Sequence, residues 1–171
     1  IDLSLRMIKE LKKNNITSLI LSDNIDNIED EYTRLKLQDI NLIYDNFNKS
    51  INDKYLDDDD LLTIVKNKIS KSTMFKDAYI YIDEFAGFTK QEYSIVEELL
   101  KIAKQVNITM CIDDLNTNTN PDVDIFYSNK ITLSKILNLV KENGFNLEKP
   151  AMLETQHRFK TEELKHLSDN I

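Results

Sequence analysis

Residues 78–84 read Ala78-Tyr79-Ile80-Tyr81-Ile82-Asp83-Glu84, a short and nearly all-apolar run of β-formers that breaks off on two acids. A run of that length and composition is the pattern of a strand covered on both faces. Just beyond it, Thr89 and Glu92 stand three apart, as a capping box requires, and Tyr93, Val96, Leu99, Leu100, Ala103 and Val106 follow at helical spacing. Ile108–Ile112 reads as a second buried strand, with Cys111 inside it. The polar stretch 116–124 contains Pro121 and reads as a loop. Leu133, Ile136, Leu137 and Val140 mark another helix, stopped by Asn143-Gly144. Residues 147–153 read as a third strand. Strand, helix, strand, helix, strand is the order of a parallel α/β sheet.

Upstream of that stretch the period is helical. Leu3, Met7, Ile8 and Leu11 share a face, and Leu35, Ile40, Ile43, Tyr44, Phe47 and Ile51 mark a longer helix. Leu61, Leu62, Val65 and Ile69 mark a third, with Asp57 to Asp60 at its start, where the helix dipole favours negative charge. Residues 16–21 fit a strand or a short helix equally. The chain therefore divides into a helical subdomain over 1–76 and an α/β core over 77–171. It shows no internal repeat.

Composition narrows the function. Acids outnumber bases 30 to 22, for a net charge of −8. Phosphate backbones are gripped mainly by basic residues, so this chain is a poor nucleic-acid clamp by itself. The lysine groups Lys9, Lys12, Lys13 and Lys66, Lys68, Lys71 are accompanied by acids and read as solvated mixed surface. No apolar run is long enough to span a bilayer, and the start does not read as a signal peptide. With one cysteine, a reducing, cytoplasmic setting is expected. The first residue is Ile1 and not Met, as in a piece of something longer. Glycine occurs at Gly87 and Gly144 only, and neither belongs to a G-x-x-x-x-G-K-[ST] loop, so a phosphate cradle of backbone N–H groups cannot be assembled here.

Chemistry concentrates after the strands. Ligands of open α/β sheets collect beyond the carboxyl ends of strands. Asp83 and Glu84 there could hold Mg²⁺ through water and orient the water that attacks a γ-phosphate, or they could simply end a strand in a turn. Asp113-Asp114 would lie beside them if the two strands are neighbours, or would start an acidic loop. His157 and His166, without nearby cysteines, make a poor metal site, and no serine or cysteine has an activating partner.

Four segments, in order, resemble UvrD-like superfamily 1 helicases. Ile80-Tyr81-Ile82-Asp83-Glu84-Phe85 resembles the Walker B segment, and Tyr55-Leu56-Asp57-Asp58-Asp59-Asp60-Leu61-Leu62 resembles the segment that precedes it. Met110-Cys111-Ile112-Asp113-Asp114-Leu115-Asn116 is similar to motif III, and Leu153-Glu154-Thr155-Gln156-His157-Arg158-Phe159 to motif IV. Ile112 and Asn116 replace the glycine and glutamine of motif III, and Ala86 replaces the glutamine that usually follows the acidic pair. Asp83-Glu84-Phe85-Ala86-Gly87-Phe88-Thr89-Lys90-Gln91-Glu92 instead resembles the "DEFxGFTPQE" form of AddB-type subunits, with Lys90 where many have proline.

That resemblance implies a fragment of a P-loop NTPase fold with eroded motor motifs, internal to a helicase–nuclease subunit that acts in double-strand-break repair by homologous recombination. Its partners would be an AddA-type subunit, which does the unwinding, and double-stranded DNA ends. Mg²⁺ and ATP would serve the intact parent, whose nuclease domain and iron–sulfur cysteines would lie outside this chain. Asp83 and Glu84 would be the catalytic carboxylates, with Asp83 holding Mg²⁺ through water, and Asp113 and Arg158 would bind nucleotide. Arg158 should then share a sheet edge with Asp83, because motif IV arginine reaches the γ-phosphate, where a planar, permanently charged fork suits phosphate oxygens. An active UvrD-type motor fragment and a scaffold domain without nucleotide are the alternatives. Without the phosphate loop, the chain alone should bind ATP weakly at best.

Overall fold

The computed structural model describes residues 2–51, 60–83, 85–153 and 160–170. In chain order these form α1 (Asp2–Lys13), α2 (Ser18–Ile25), α3 (Glu31–Ile51), α4 (Leu61–Ile69), β1 (Tyr79–Ile82), α5 (Lys90–Ile102), β2 (Gln105–Ile108), α6 (Tyr127–Glu142) and α7 (Glu162–Asp169). The chain is α/β, mostly helical, with a small two-stranded parallel sheet.

The first helix buries Ile8 and Lys12, four residues apart and so on one face. Leu3, grouped with that face by its spacing, is exposed, and Ser4 lies nearer the packed side. Lys12 corrects the reading of its group as solvated surface: it is only 4% exposed. Its ammonium pairs with Asp60 at 2.7 Å and lies over the rings of Tyr44 and Phe47, 5.9 and 5.4 Å from their centres. A cation–π contact and an ion pair together offset the loss of water around the charge.

Asn15, with a φ of 56°, ends α1 in the left-handed region that asparagine tolerates. The ambiguous stretch at 16–21 resolves as helix, because the Thr17 hydroxyl accepts from the Ile20 N–H at 3.2 Å and caps α2. The carboxylate of Asp30 does the same for α3, accepting from the Thr33 N–H at 2.8 Å. That hydrogen bonding holds the Asp30 carboxyl below its ordinary range. Ile40 and Tyr44 form the buried stripe of α3, and the Tyr44 hydroxyl donates to the Ile16 carbonyl at 3.3 Å. Leu35 and Ile43, read as part of the same helix, stand on its exposed side. Of the acids expected at the start of the third helix, Asp60 immediately precedes α4, and 57–59 lie outside the described residues.

The helical stretch and the α/β stretch meet where α4 packs against α5. There the buried Gln91 amide donates to the Thr63 hydroxyl at 3.3 Å. Helix α5 opens on the capping box anticipated from its spacing. The Glu92 N–H donates to Thr89 Oγ1 at 3.3 Å, and the Thr89 N–H donates to Glu92 Oε2 at 2.6 Å. Val96 and Leu99 are buried along its inner side. Helix α6 buries Ile136 and Val140 and ends at Asn143, followed by Gly144 with a φ of 68°, as the sequence implied.

The two strands pair in parallel, Ile80 against Val106 and Ile82 against Ile108. Three expectations about the sheet change. Strand β1 is covered on one face only, since Tyr79 and Tyr81 are exposed and Lys104 lies 4.9 Å from the Tyr79 ring centre. The second strand is Gln105–Ile108 and not 108–112, because β1 offers only four residues to pair with. One further bond, from the Thr109 N–H to the Ile82 carbonyl at 3.0 Å, closes the ladder. Cys111 is therefore in a loop and exposed, not inside a buried strand. The third strand, read over 147–153, is absent from the described residues. Pro150 lies in the middle of that run and cannot donate to a ladder, and Leu153 is 90% exposed.

Candidate functional site at the strand ends

The parallel register carries the two strands side by side past their last paired residues. Asp83 follows Ile82 and Thr109 follows Ile108, so the two residues are neighbours, and the Thr109 hydroxyl donates to the Asp83 carboxylate. A cavity of about 350 Å³ opens at this point, lined by Asp83, Phe85, Ala86, Thr109, Met110, Cys111 and Asn129. It combines an apolar floor with one carboxylate, one hydroxyl and one amide. The cavity is open to solvent on one side and lies beyond the carboxyl ends of the parallel strands, where ligands of α/β sheets gather.

Aromatic packing shapes the loop from β1 to α5. Phe85 and Phe88 stack at 5.0 Å between ring centres, and Phe88 meets Tyr93 edge-on at 5.3 Å. The loop is held from the other side by α6: the buried Thr132 hydroxyl lies 2.9 Å from the Ala86 carbonyl and 3.1 Å from the Ser128 carbonyl, donating to one at a time.

Helix α6 also holds the loop that leaves β2. The Asn129 amide donates to the Cys111 carbonyl at 2.6 Å. Next to it Lys130, 2% exposed, binds Asp113 at 2.6 Å and Asp114 and Asp124 at 3.0 Å each. The hydrogen bond that Lys130 donates to Asp113, aided by those to Asp124 and Asp114, pushes its ammonium well above the ordinary lysine range against the opposing effect of burial. The same hydrogen bond from Lys130 holds the carboxyls of Asp113 and Asp124 below theirs. Between these anchors the loop is built from side-chain turns. Asn116 N–H donates to Asp114, Asn118 N–H to Asn116, Asp122 N–H to Asn120 and Phe126 N–H to Asp124, each onto the side-chain oxygen two residues back.

Asp83 lines the cavity. Asp113 does not line it, and its carboxylate is bonded to Lys130 on α6. Glu84, His157 and Arg158 lie outside the described residues, as does most of the segment 55–62. Among the described residues no group of three or more His, Cys, Asp and Glu could hold a metal ion. Sequence reasoning missed Thr109, Asn129, Lys130 and Thr132. Thr109 was hidden by placing it inside a strand. Lys130 did leave a trace: it stands seven residues before Leu137, on the same helix face as an apolar residue, where an unpaired lysine has no place.

Among the described residues no helix is long and apolar enough to cross a membrane. Residues 1–168 match the family model described as ADDB, N-terminal. The chain is 43% identical over 167 residues to an ATP-dependent helicase/deoxyribonuclease subunit of Clostridium acetobutylicum, covering 96% of this chain and 14% of that protein. It is 41% identical over 172 residues to the protein of the same name from Clostridium tetani, and 40% identical over 169 residues to that of Clostridium botulinum strain Loch Maree. Each of these two alignments covers 96% of this chain and 15% of the relative, so the chain spans about one-seventh of the length of the curated relatives it matches. The sequence resemblance and these matches agree: the chain belongs to the AddB N-terminal family.

Proposed function

We propose that this chain is part of the helicase-like, non-motor portion of a DNA helicase–nuclease subunit that works on double-stranded DNA ends in double-strand-break repair, with an AddA-type subunit as its partner and the bacterial cytoplasm as its setting. The observation that carries the reading is Asp83 at the cavity beyond β1, in a chain of the AddB N-terminal family. In this reading 77–171 belongs to a P-loop core completed by chain outside these residues, and 1–76 is a helical subdomain attached to it. The alternative of an active motor fits less well, because Ile112 and Asn116 replace the motif III glycine and glutamine.

In this reading the cavity would face a magnesium–phosphate group held largely by the rest of the subunit. Mg²⁺ is commonly held by one or two carboxylates with its remaining sites taken by water and substrate phosphate, and Asp83 supplies one such carboxylate, oriented by Thr109. When bound, the ion would neutralise phosphate charge. Asp83 would hold it through water, Glu84 would orient water and Arg158 would contact the nucleotide, while Asp113, bonded to Lys130, would act only through the loop that it anchors. With no phosphate cradle in the chain, these residues need the rest of the subunit to bind nucleotide.

Titration of the full-length subunit with Mg·ATP tests the proposal. Wild type is expected to bind, and Asp83→Asn and Arg158→Ala each to weaken binding about tenfold or more, as loss of a charge-assisted contact does. The 171-residue chain by itself should show no micromolar affinity. Equal affinity of wild type and both variants would leave Asp83 a turn residue and favour a scaffold domain.

A further inference from the structure

We infer that the start of α6 is a clasp: Asn129, Lys130 and Thr132 together position the two loops that leave β1 and β2, and so set the mouth of the cavity between them. Three separate contacts within one turn of helix carry this. Thr132 takes the Ala86 carbonyl of the β1 loop, Asn129 takes the Cys111 carbonyl of the β2 loop, and Lys130 gathers Asp113, Asp114 and Asp124 farther along the latter. Lys130 and Thr132 are both buried, as is most of Asp124, while Asp113 and Asp114 reach Lys130 from the solvent side.

The arrangement divides the acids of this region by role. Asp83 faces the cavity, while the charges of Asp113, Asp114 and Asp124 converge on a lysine ammonium. Lys130 does there what a bound cation could do, drawing three carboxylates of one loop to a single point. Because the three side chains sit on one rigid helix, the β1 loop and the β2 loop cannot change separation without breaking at least one of these bonds. Lys130 is a positioning residue, acting through the loop and not on a ligand. Its consequence for nucleotide binding rests on the function proposed above; the clasp itself does not.

Hydrogen exchange read by mass spectrometry on the full-length subunit tests it. Lys130→Met should raise exchange over 113–124 at least about tenfold while the interior of α5, 90–102, stays protected. Lys130→Arg, which keeps a cation within reach of the same carboxylates, should retain most of the protection. Thr132→Val should raise exchange over 85–89, and Asn129→Ala over 109–112. Unchanged exchange over 113–124 in Lys130→Met, or equal loss in Lys130→Arg, overturns the inference. If Lys130→Met also loses protection in α5 and so has unfolded, the Thr132→Val and Asn129→Ala results decide: no change in their loops defeats the clasp. Mg·ATP titration of the same proteins separates the two proposals. Wild type that fails to bind defeats the nucleotide reading alone, and a clasp variant with freed loops and at least about tenfold weaker binding supports both.

Discussion

Each half of the molecule buries a lysine, and the two are held differently. Lys12, in the helical stretch, rests on Tyr44 and Phe47 and pairs with Asp60, so that α1, α3 and the start of α4 share one charge. Lys130, in the α/β stretch, meets three carboxylates of a single loop. The aromatic rings would pack equally well against an apolar side chain of similar length, and Asp60 is open enough to regain water. Asp113 and Asp114 can regain water too, but Asp124 is largely covered, and without the ammonium three carboxylates of one loop repel one another. A buried charge among helices is here a packing element, whereas a buried charge beside the strands organises a loop.

The largest effects should come from the two cores and should be alike. Ile40→Ala in α3 and Ile136→Ala in α6 each remove a buried branched side chain and are expected to cost about 2–5 kcal/mol in urea unfolding of the chain. A loss below about 1 kcal/mol for either would show that its half lacks a formed core in solution.

The lysines sharpen the contrast next. Lys12→Met should cost about 1 kcal/mol and leave loop exchange unchanged, while Lys130→Met frees the 113–124 loop. A cost above about 3 kcal/mol for Lys12→Met would erase the distinction between the two sites.

Acidity tests the Lys130 cluster directly. The titratable groups facing Lys130 are Asp113, Asp114 and Asp124. The carboxyls of Asp113 and Asp124 are lowered on folding, so their contribution is present above the unfolded value of about 3.9 and is lost as pH falls through the lower folded values. The Lys130 ammonium is raised, so its contribution is complete below about 10.4 and fades only as pH climbs to the higher folded value. Protection of the 113–124 loop, corrected for intrinsic exchange, should therefore be level from about pH 5 to about pH 9 and fail below about pH 4. A midpoint near neutrality would contradict this assignment of the charges.

The helix caps give smaller differences. Thr89→Ala removes one half of a reciprocal capping box and should cost about 1–2 kcal/mol, while Thr17→Ala removes a single bond and should cost about 0.5–1 kcal/mol. The reverse order would mean that the Glu92 half of the box is not formed. Smallest of all, Arg6→Ala should change stability by no more than about 0.5 kcal/mol, since Arg6 and Asp2 are 74% and 78% exposed.

Local patterns in the sequence determined much of this architecture. The β-rich run at 78–82, the Thr89–Glu92 spacing, the apolar period of α6 and its Asn143-Gly144 stop each depend on neighbours within a few residues, and each stands in the structure where it was read. The order of motif-like segments likewise pointed to the family without coordinates. What only the tertiary structure decided is where long-range partners meet. The length of β2 was set by the four residues of β1 available to pair, so an apolar run that continued to Ile112 could not extend the strand. The burial of Lys12 and Lys130 depended on Asp60, 48 residues away, and on a loop folding back against α6. Apolar periodicity records which face a residue occupies, but a charge can occupy that face only when its counter-charges arrive, and their arrival is a property of the fold.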